Sequence, residues 1–132
     1  MQRVNIKKCN FDYDYDDLTL RTKTDMIVIH HTGNFEDDDL SAAEINEIHQ
    51  NMDWACIGYH YVVRKNGQVE EGRPHWTIGA HAYGENSHTI GIHVSGNFEF
   101  AKPTNKQIES LAMLLSNICV DYSLPISNEY IV

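Results

Sequence analysis

The chain has no run of about eighteen or more consecutive apolar residues, the length a helix needs to cross the hydrocarbon core of a bilayer. A membrane-spanning helix is therefore not expected. The amino terminus, MQRVNIKKCNFDYDYDD, holds basic residues with no apolar stretch behind them, so the pattern of a secretion signal is missing as well. Basic residues are scarce: ten Lys and Arg stand against nineteen Asp and Glu, a formal net charge of −9. That balance repels a phosphate backbone, lacks the basic clustering of nucleic-acid binders, and argues against nucleic acid as a partner. The three cysteines, Cys9, Cys56 and Cys119, are widely spaced without any C-x-x-C pair, and read as reduced thiols, with Cys119 in the core. No internal repeat, low-complexity tract or linker is visible. The 132 residues, 42% of them hydrophobic, make one domain's worth of chain.

Histidine is what the chain has in excess. Eight are present, and each is costly to bury unless its ring nitrogens find partners.

Residues 1–25 lack sustained periodicity and include the acidic, tyrosine-interleaved run DYDYDD, so they are expected to form an arm over the domain surface. MIVIHH then reads as a strand by its β-branched content, and GNFEDDDL as a loop. Ser41 and Glu44 form a capping box that should open a helix running to about Met52, with Ile45, Ile48 and Met52 on one apolar face and His49 beside it. Asn66-Gly67 signals a hairpin between strands at about Gly58–Arg64 and Gln68–Glu71. TIGIHVS alternates as a further strand with one apolar face. Thr104 and Gln107 cap a second helix, whose stripe of Ile108, Leu111, Ala112, Leu115, Ile118 and Cys119 runs to about Tyr122. EYIV is a short terminal strand. The order predicts an α/β fold: a central mixed β-sheet flanked by α-helices.

The chemistry centres on histidines at strand ends. VIHH, GYH, GAHA and GIHVSG can bring imidazoles to one edge of a sheet, where open α/β sheets place their ligands. Zinc is one use, since a catalytic zinc takes three protein ligands and a water; hydrogen-bonded core or surface histidines are the other. No H-E-x-x-H pattern is present, and spacing alone does not choose ligands.

The ordered set VIHHTG, IGYHYVV-x-K-x-G-x-V, EGRP, GAHA, N-x-x-TIGI and GNF, spanning residues 26–98, resembles the zinc-dependent N-acetylmuramoyl-L-alanine amidases, whose fold is shared by phage lysozyme-type amidases and peptidoglycan recognition proteins. The resemblance implies an amidase-like domain over residues 26–132, with His30 as a zinc ligand and Tyr59 as the catalytic residue near the zinc-bound water. Alternation sends His31 to the opposite side of the strand. The implied reaction is hydrolysis of the amide between N-acetylmuramic acid and L-alanine in peptidoglycan, in a bacterial or phage cell-wall lysin. Such a protein would be cytoplasmic until released to the cell wall. Trp54, His81 and Asn86 are candidates for substrate binding, because aromatic faces cover sugar rings and amides satisfy hydroxyls; for Trp54 a plain core role is the competing reading.

The family pattern continues past the strand that EYIV resembles into a Gly-His motif and a Cys-Pro or Asp segment, which supply the remaining ligands and often a catalytic lysine. Residues 99–132 contain no histidine, and their only Cys and Asp, Cys119 and Asp121, fall in the expected helix. The domain is thus expected to be incomplete at its C-terminus, and residues 1–132 to bind zinc weakly or not at all. A non-catalytic muropeptide-binding module is the alternative function, and an unrelated histidine-rich zinc hydrolase a third.

Overall fold

A computed structural model describes residues 2–32 and 37–132. The expected loop GNFEDDDL lies partly outside the described residues, at 33–36. In chain order the elements are β1 (Ile6–Lys7), β2 (Met26–His31), α1 (Ala42–Gln50), β3 (Tyr61–Val63), β4 (Val69–Glu71), β5 (Thr89–Val94) and α2 (Asn105–Tyr122), with short 3-10 turns at Tyr15–Asp17 and Asn86–His88. The sheet order is β1-β4-β3-β5-β2. Pairs β2–β5, β3–β5 and β1–β4 are parallel and β3–β4 is antiparallel, so the sheet is mixed, as the element order predicts.

Two layers of helix close the sheet. On one face Ile27, Tyr61, Val63, Val69, Ile90, Ile92 and Val94 pack with Leu114, Ile118 and Cys119 of α2. On the other, Val62 and Ile57 meet Ala42 and Ile45 of α1. Central β5 is buried at every position, so its expected single apolar face is one of two covered faces. Each fully buried isoleucine, such as Ile27, Ile90 or Ile92, contributes roughly 1.5–3 kcal/mol.

The capping boxes form as expected. The Ser41 hydroxyl accepts from the Glu44 N–H at 3.1 Å while the Glu44 carboxylate accepts from the Ser41 N–H at 3.1 Å; Thr104 and Gln107 do the same at 3.0 Å each. The buried faces differ from the expected stripes. In α1, Ile48 is exposed, as is Met52 beyond its end, and Ala42, Ile45 and Asn46 are buried. The reason is polar: Asn46 Oδ1 accepts from the Ile57 N–H at 2.8 Å and His49 Nδ1 from the Gly58 N–H at 2.9 Å, so this face satisfies the chain entering β3. The helix stops at Gln50, followed by a turn in which Asp53 takes a left-handed φ of 65°. In α2, Ile108 is exposed and Ala112 lies outside the core, while Gln107 and Leu114 are buried. Gln107 donates to the Ser95 carbonyl at 2.8 Å, which turns the stripe toward it.

Strand β3 is shorter than the expected Gly58–Arg64, but pairing continues irregularly before it: the His60 N–H donates to the Gly91 carbonyl at 2.9 Å and Arg73 N–H to the Tyr59 carbonyl at 2.8 Å. EYIV pairs beside β2 through a parallel bridge between Ile27 and Ile131. The amino-terminal segment does more than lie over the surface, because Ile6–Lys7 adds an edge strand and Leu20 bridges Thr77.

Candidate active site

His30 sits at the C-terminal end of β2, on the face that α1 covers. Its neighbour across the parallel pair is His93, which in turn lies beside Val62 of β3. Tyr59, on the irregular lead-in to β3, brings its ring to 5.3 Å from that of His30, 4.9 Å from His93 and 5.8 Å from His49. His81, on the loop after β4, places its ring 5.2 Å from His30, and Trp54 its ring 4.4 Å from His49. The result is a patch of imidazoles around one phenol, at the strand ends where open parallel sheets accept ligands. Beside it opens a cleft of about 280 Å³ lined by His49, Trp54, Tyr59, His81 and Asn86, with Ala80, Ala82 and Tyr83.

Burial decides the protonation of these rings. It lowers the pKa of His30 and of His49, and pushes His81 and His93 down to about 4, because a charged imidazole loses its hydration there. All four rings are neutral near pH 7. Burial also raises the pKa of the Tyr59 phenol, which stays protonated and able to donate. His93 Nε2 lies 3.2 Å from Thr32 Oγ1, whose own proton goes to Asp38 at 2.8 Å. His93 Nδ1 is buried with no hydrogen-bond partner among the described residues.

The expected site residues converge, with distinctions. The rings of His30, Tyr59 and His81 lie within 6.5 Å of one another, centre to centre. Asn86 lines the cleft, yet its Oδ1 is occupied, accepting from the His81 and Ala82 N–H groups at 2.9 Å each. Trp54 is 36% exposed, a cleft wall more than a core residue. His31 turns away, as alternation requires, and stacks on Phe98 with ring centroids 5.7 Å apart. The sequence reading did not assign His49 or His93 to the site. The signals were present: His49 lies one turn beyond Ile45 on the buried side of α1, and His93 shares the register of His30.

Residues 20–132 match the family model described as N-acetylmuramoyl-L-alanine amidase. The chain belongs to this amidase family. Among its relatives is the endolysin of Escherichia phage T7, 31% identical over 107 residues that make up 77% of this chain and 71% of the endolysin. Peptidoglycan-recognition protein 2 of Holotrichia diomphalia is 36% identical over 90 residues, 64% of this chain and 48% of that protein. Among solved structures, the endolysin and N-acetylmuramoyl-L-alanine amidase LysCS from Clostridium intestinale URNW superposes with a TM-score of 0.85 at 33% identity, covering 93% of this chain and 78% of that one.

The amidase resemblance implies zinc, and the donor set can be tested for it. His30 has the required chemistry, being a neutral imidazole at the mouth of the site. A catalytic zinc takes three protein ligands, and among the described residues no group of three or more His, Cys, Asp or Glu is placed to hold a metal ion. The described residues therefore fit one ligand of a zinc centre and not the whole set.

Proposed function

We propose that this amidase hydrolyses the amide bond joining N-acetylmuramic acid to L-alanine in peptidoglycan, with Tyr59 as the catalytic donor and His30 as a metal ligand. The observation that carries the reading is the 5.3 Å approach of the His30 and Tyr59 rings beside the cleft, in a chain of this family. A zinc ion, when bound, supplies an acidified water and polarises a carbonyl, and His30 is the residue here that would hold it. Tyr59 keeps its proton, points no hydrogen bond elsewhere among the described residues, and can donate to the oxyanion that forms when the scissile carbonyl is attacked. Trp54 offers an aromatic face to a sugar or peptide. His81 and Asn86 line the same cleft and complete its substrate-binding surface.

A second reading, muropeptide binding without cleavage, is favoured by the incomplete ligand set among the described residues. One experiment separates the two. The full gene product is incubated with zinc and purified peptidoglycan, and new amino termini are labelled. Free L-alanine amino termini are the expected result. Retention of wall fragments with none released assigns the binding reading instead.

A further inference from the structure

The His49 ring sits in the cleft wall beside Trp54 and Tyr59, at 4.4 Å and 5.8 Å between ring centroids. One contact fixes its tautomer. The Gly58 N–H, which can only donate, meets His49 Nδ1 at 2.9 Å, so Nδ1 holds a lone pair and the ring proton is on Nε2. A cationic ring would turn a second proton against that of Gly58, and burial, with the Arg73 charge nearby, lowers the His49 pKa in the same sense. His49 is a neutral donor at Nε2.

That donor is idle. No hydrogen-bond partner for His49 Nε2 is found among the described residues. Nor is it sealed inside: His93 Nδ1 is the one buried side-chain nitrogen or oxygen without a partner among the described residues, so the unpartnered Nε2 of half-buried His49 is open to solvent. His81, the other imidazole of the cleft, has both nitrogens engaged, Nδ1 at 3.0 Å from His30 Nε2 and Nε2 at 3.1 Å from Thr89 Oγ1. The His49 donor is also held in place. Its backbone carbonyl accepts from the Met52 and Trp54 N–H groups at 3.0 and 3.1 Å, and the Gly58 carbonyl accepts from the Ala80 N–H at 3.0 Å. A ligand would spend little on ordering it.

We propose that His49 is a substrate-binding residue whose Nε2–H donates to an amide carbonyl oxygen of the muramoyl peptide. This assignment rests on the reading of the cleft as the substrate site of the amidase, and adds a residue and the group it recognises. A fixed neutral donor pairs with an acceptor and leaves a ligand ammonium or N–H at that point unpaired. A carbonyl suits a chain of net charge −9 better than a carboxylate does. The Tyr59 ring lies 5.3 Å from that of His30 and 5.8 Å from that of His49, so His49 enters the cleft one ring further from His30 than Tyr59 does. The carbonyl it reads is a neighbour of the scissile one, and binding depends on it more than turnover.

The test is nuclear magnetic resonance of the full gene product, labelled with 15N in its histidine and tryptophan rings, with muramyl dipeptide as the probe and a chelator present so that the probe stays intact. In the free protein His49 Nδ1 should resonate as a bare nitrogen and Nε2 as a protonated one. Muramyl dipeptide should shift the Nε2–H downfield as it moves the Trp54 signal. A protonated Nδ1, or an Nε2–H unmoved while Trp54 responds, overturns the inference and needs no variant to fold. No response from any cleft residue overturns the reading of the cleft, and the inference with it. A shifted Nε2–H in a protein that releases no new amino termini once zinc is restored overturns the amidase reading and leaves the His49 contact standing. His49→Asn keeps an acceptor for the Gly58 N–H and drops the donor; KM for a soluble muramoyl peptide should rise about 3- to 10-fold, the effect of one hydrogen bond, with kcat within about twofold. His49→Gln, which returns an N–H near the Nε2 position, should recover most of that loss. A fall in kcat at unchanged KM overturns the assignment by placing His49 at the reacting carbonyl.

Discussion

Gly91 and His81 compete for one volume: a Cβ built on Gly91 would lie 2.4 Å from Cγ and 2.6 Å from Nδ1 of the His81 ring. The glycine of TIGI is a seat for an imidazole, not a point of backbone freedom. Gly91→Ala should therefore expel the ring or shift β5, at a cost of about 1–3 kcal/mol for overpacking. Denaturant unfolding reads the loss, and the His30–His81 contact should vanish from the variant's structure.

Tyr59→Phe keeps the ring and removes only the donor. Turnover of purified peptidoglycan by the full gene product should fall about 10²- to 10³-fold, the effect of losing one oxyanion donor, with the unfolding midpoint little changed. Unaltered turnover would remove Tyr59 from the mechanism.

His60 is fully buried, with Nδ1 accepting from the Gly91 N–H at 3.0 Å and Nε2 donating to the Thr77 carbonyl at 2.8 Å. Arg21 donates to the same carbonyl at 2.6 Å, so its 3.3 Å approach to His60 Nε2 is one of two donors sharing an acceptor. Burial holds the His60 pKa at about 3 against an ordinary 6.5, with the Thr77 contact pulling the other way. The unfolded chain then binds a proton that the folded one refuses. The contribution of His60 to stability is complete above pH 6.5 and lost as the pH falls from there toward 3, at no more than about 1.4 kcal/mol per pH unit. Unfolding free energies measured across that range should decline toward acid, and His60→Gln should flatten the slope.

Asn86 holds two backbone N–H groups with one oxygen, those of His81 and Ala82. Asn86→Ala should cost about 1–3 kcal/mol and raise amide exchange at those two residues before it changes any catalytic parameter. Exchange rates equal to wild type would make the residue a surface group only.

Residues 1–132 offer zinc one well-presented imidazole where a catalytic site uses three ligands. After dialysis, elemental analysis of that polypeptide should find well under one zinc per chain. One tightly held ion would reveal a ligand set not visible among the described residues.

Much of this was legible in the chain. The capping boxes at Ser41 and Thr104, the hairpin at Asn66-Gly67 and the strand carrying His30 depend on neighbours within a few residues, and local pattern carries them. The buried faces of the helices did not follow from hydrophobicity, because Asn46, His49 and Gln107 are drawn inward by backbone groups of distant strands. Apolar Ile48, Met52 and Ile108 were left outside. The convergence of His30 with Tyr59 was implied by motif order. The relation of His81 to Thr89 and Gly91 was not, since it requires the loop after β4 to fold back over β5, and nothing in GAHA states where that loop goes.

Strand β2 is hydrogen-bonded along both edges, to β5 through His31 on one side and to Tyr130 and Val132 through Ile27 and Ile29 on the other. The backbone under His30 therefore opens only when the sheet itself comes apart. An incoming ligand meets a side chain whose entropy of placement was already spent in folding. Occupancy of the site can rise and fall without any element having to rearrange, which makes His30 a fixed anvil at the edge of the cleft.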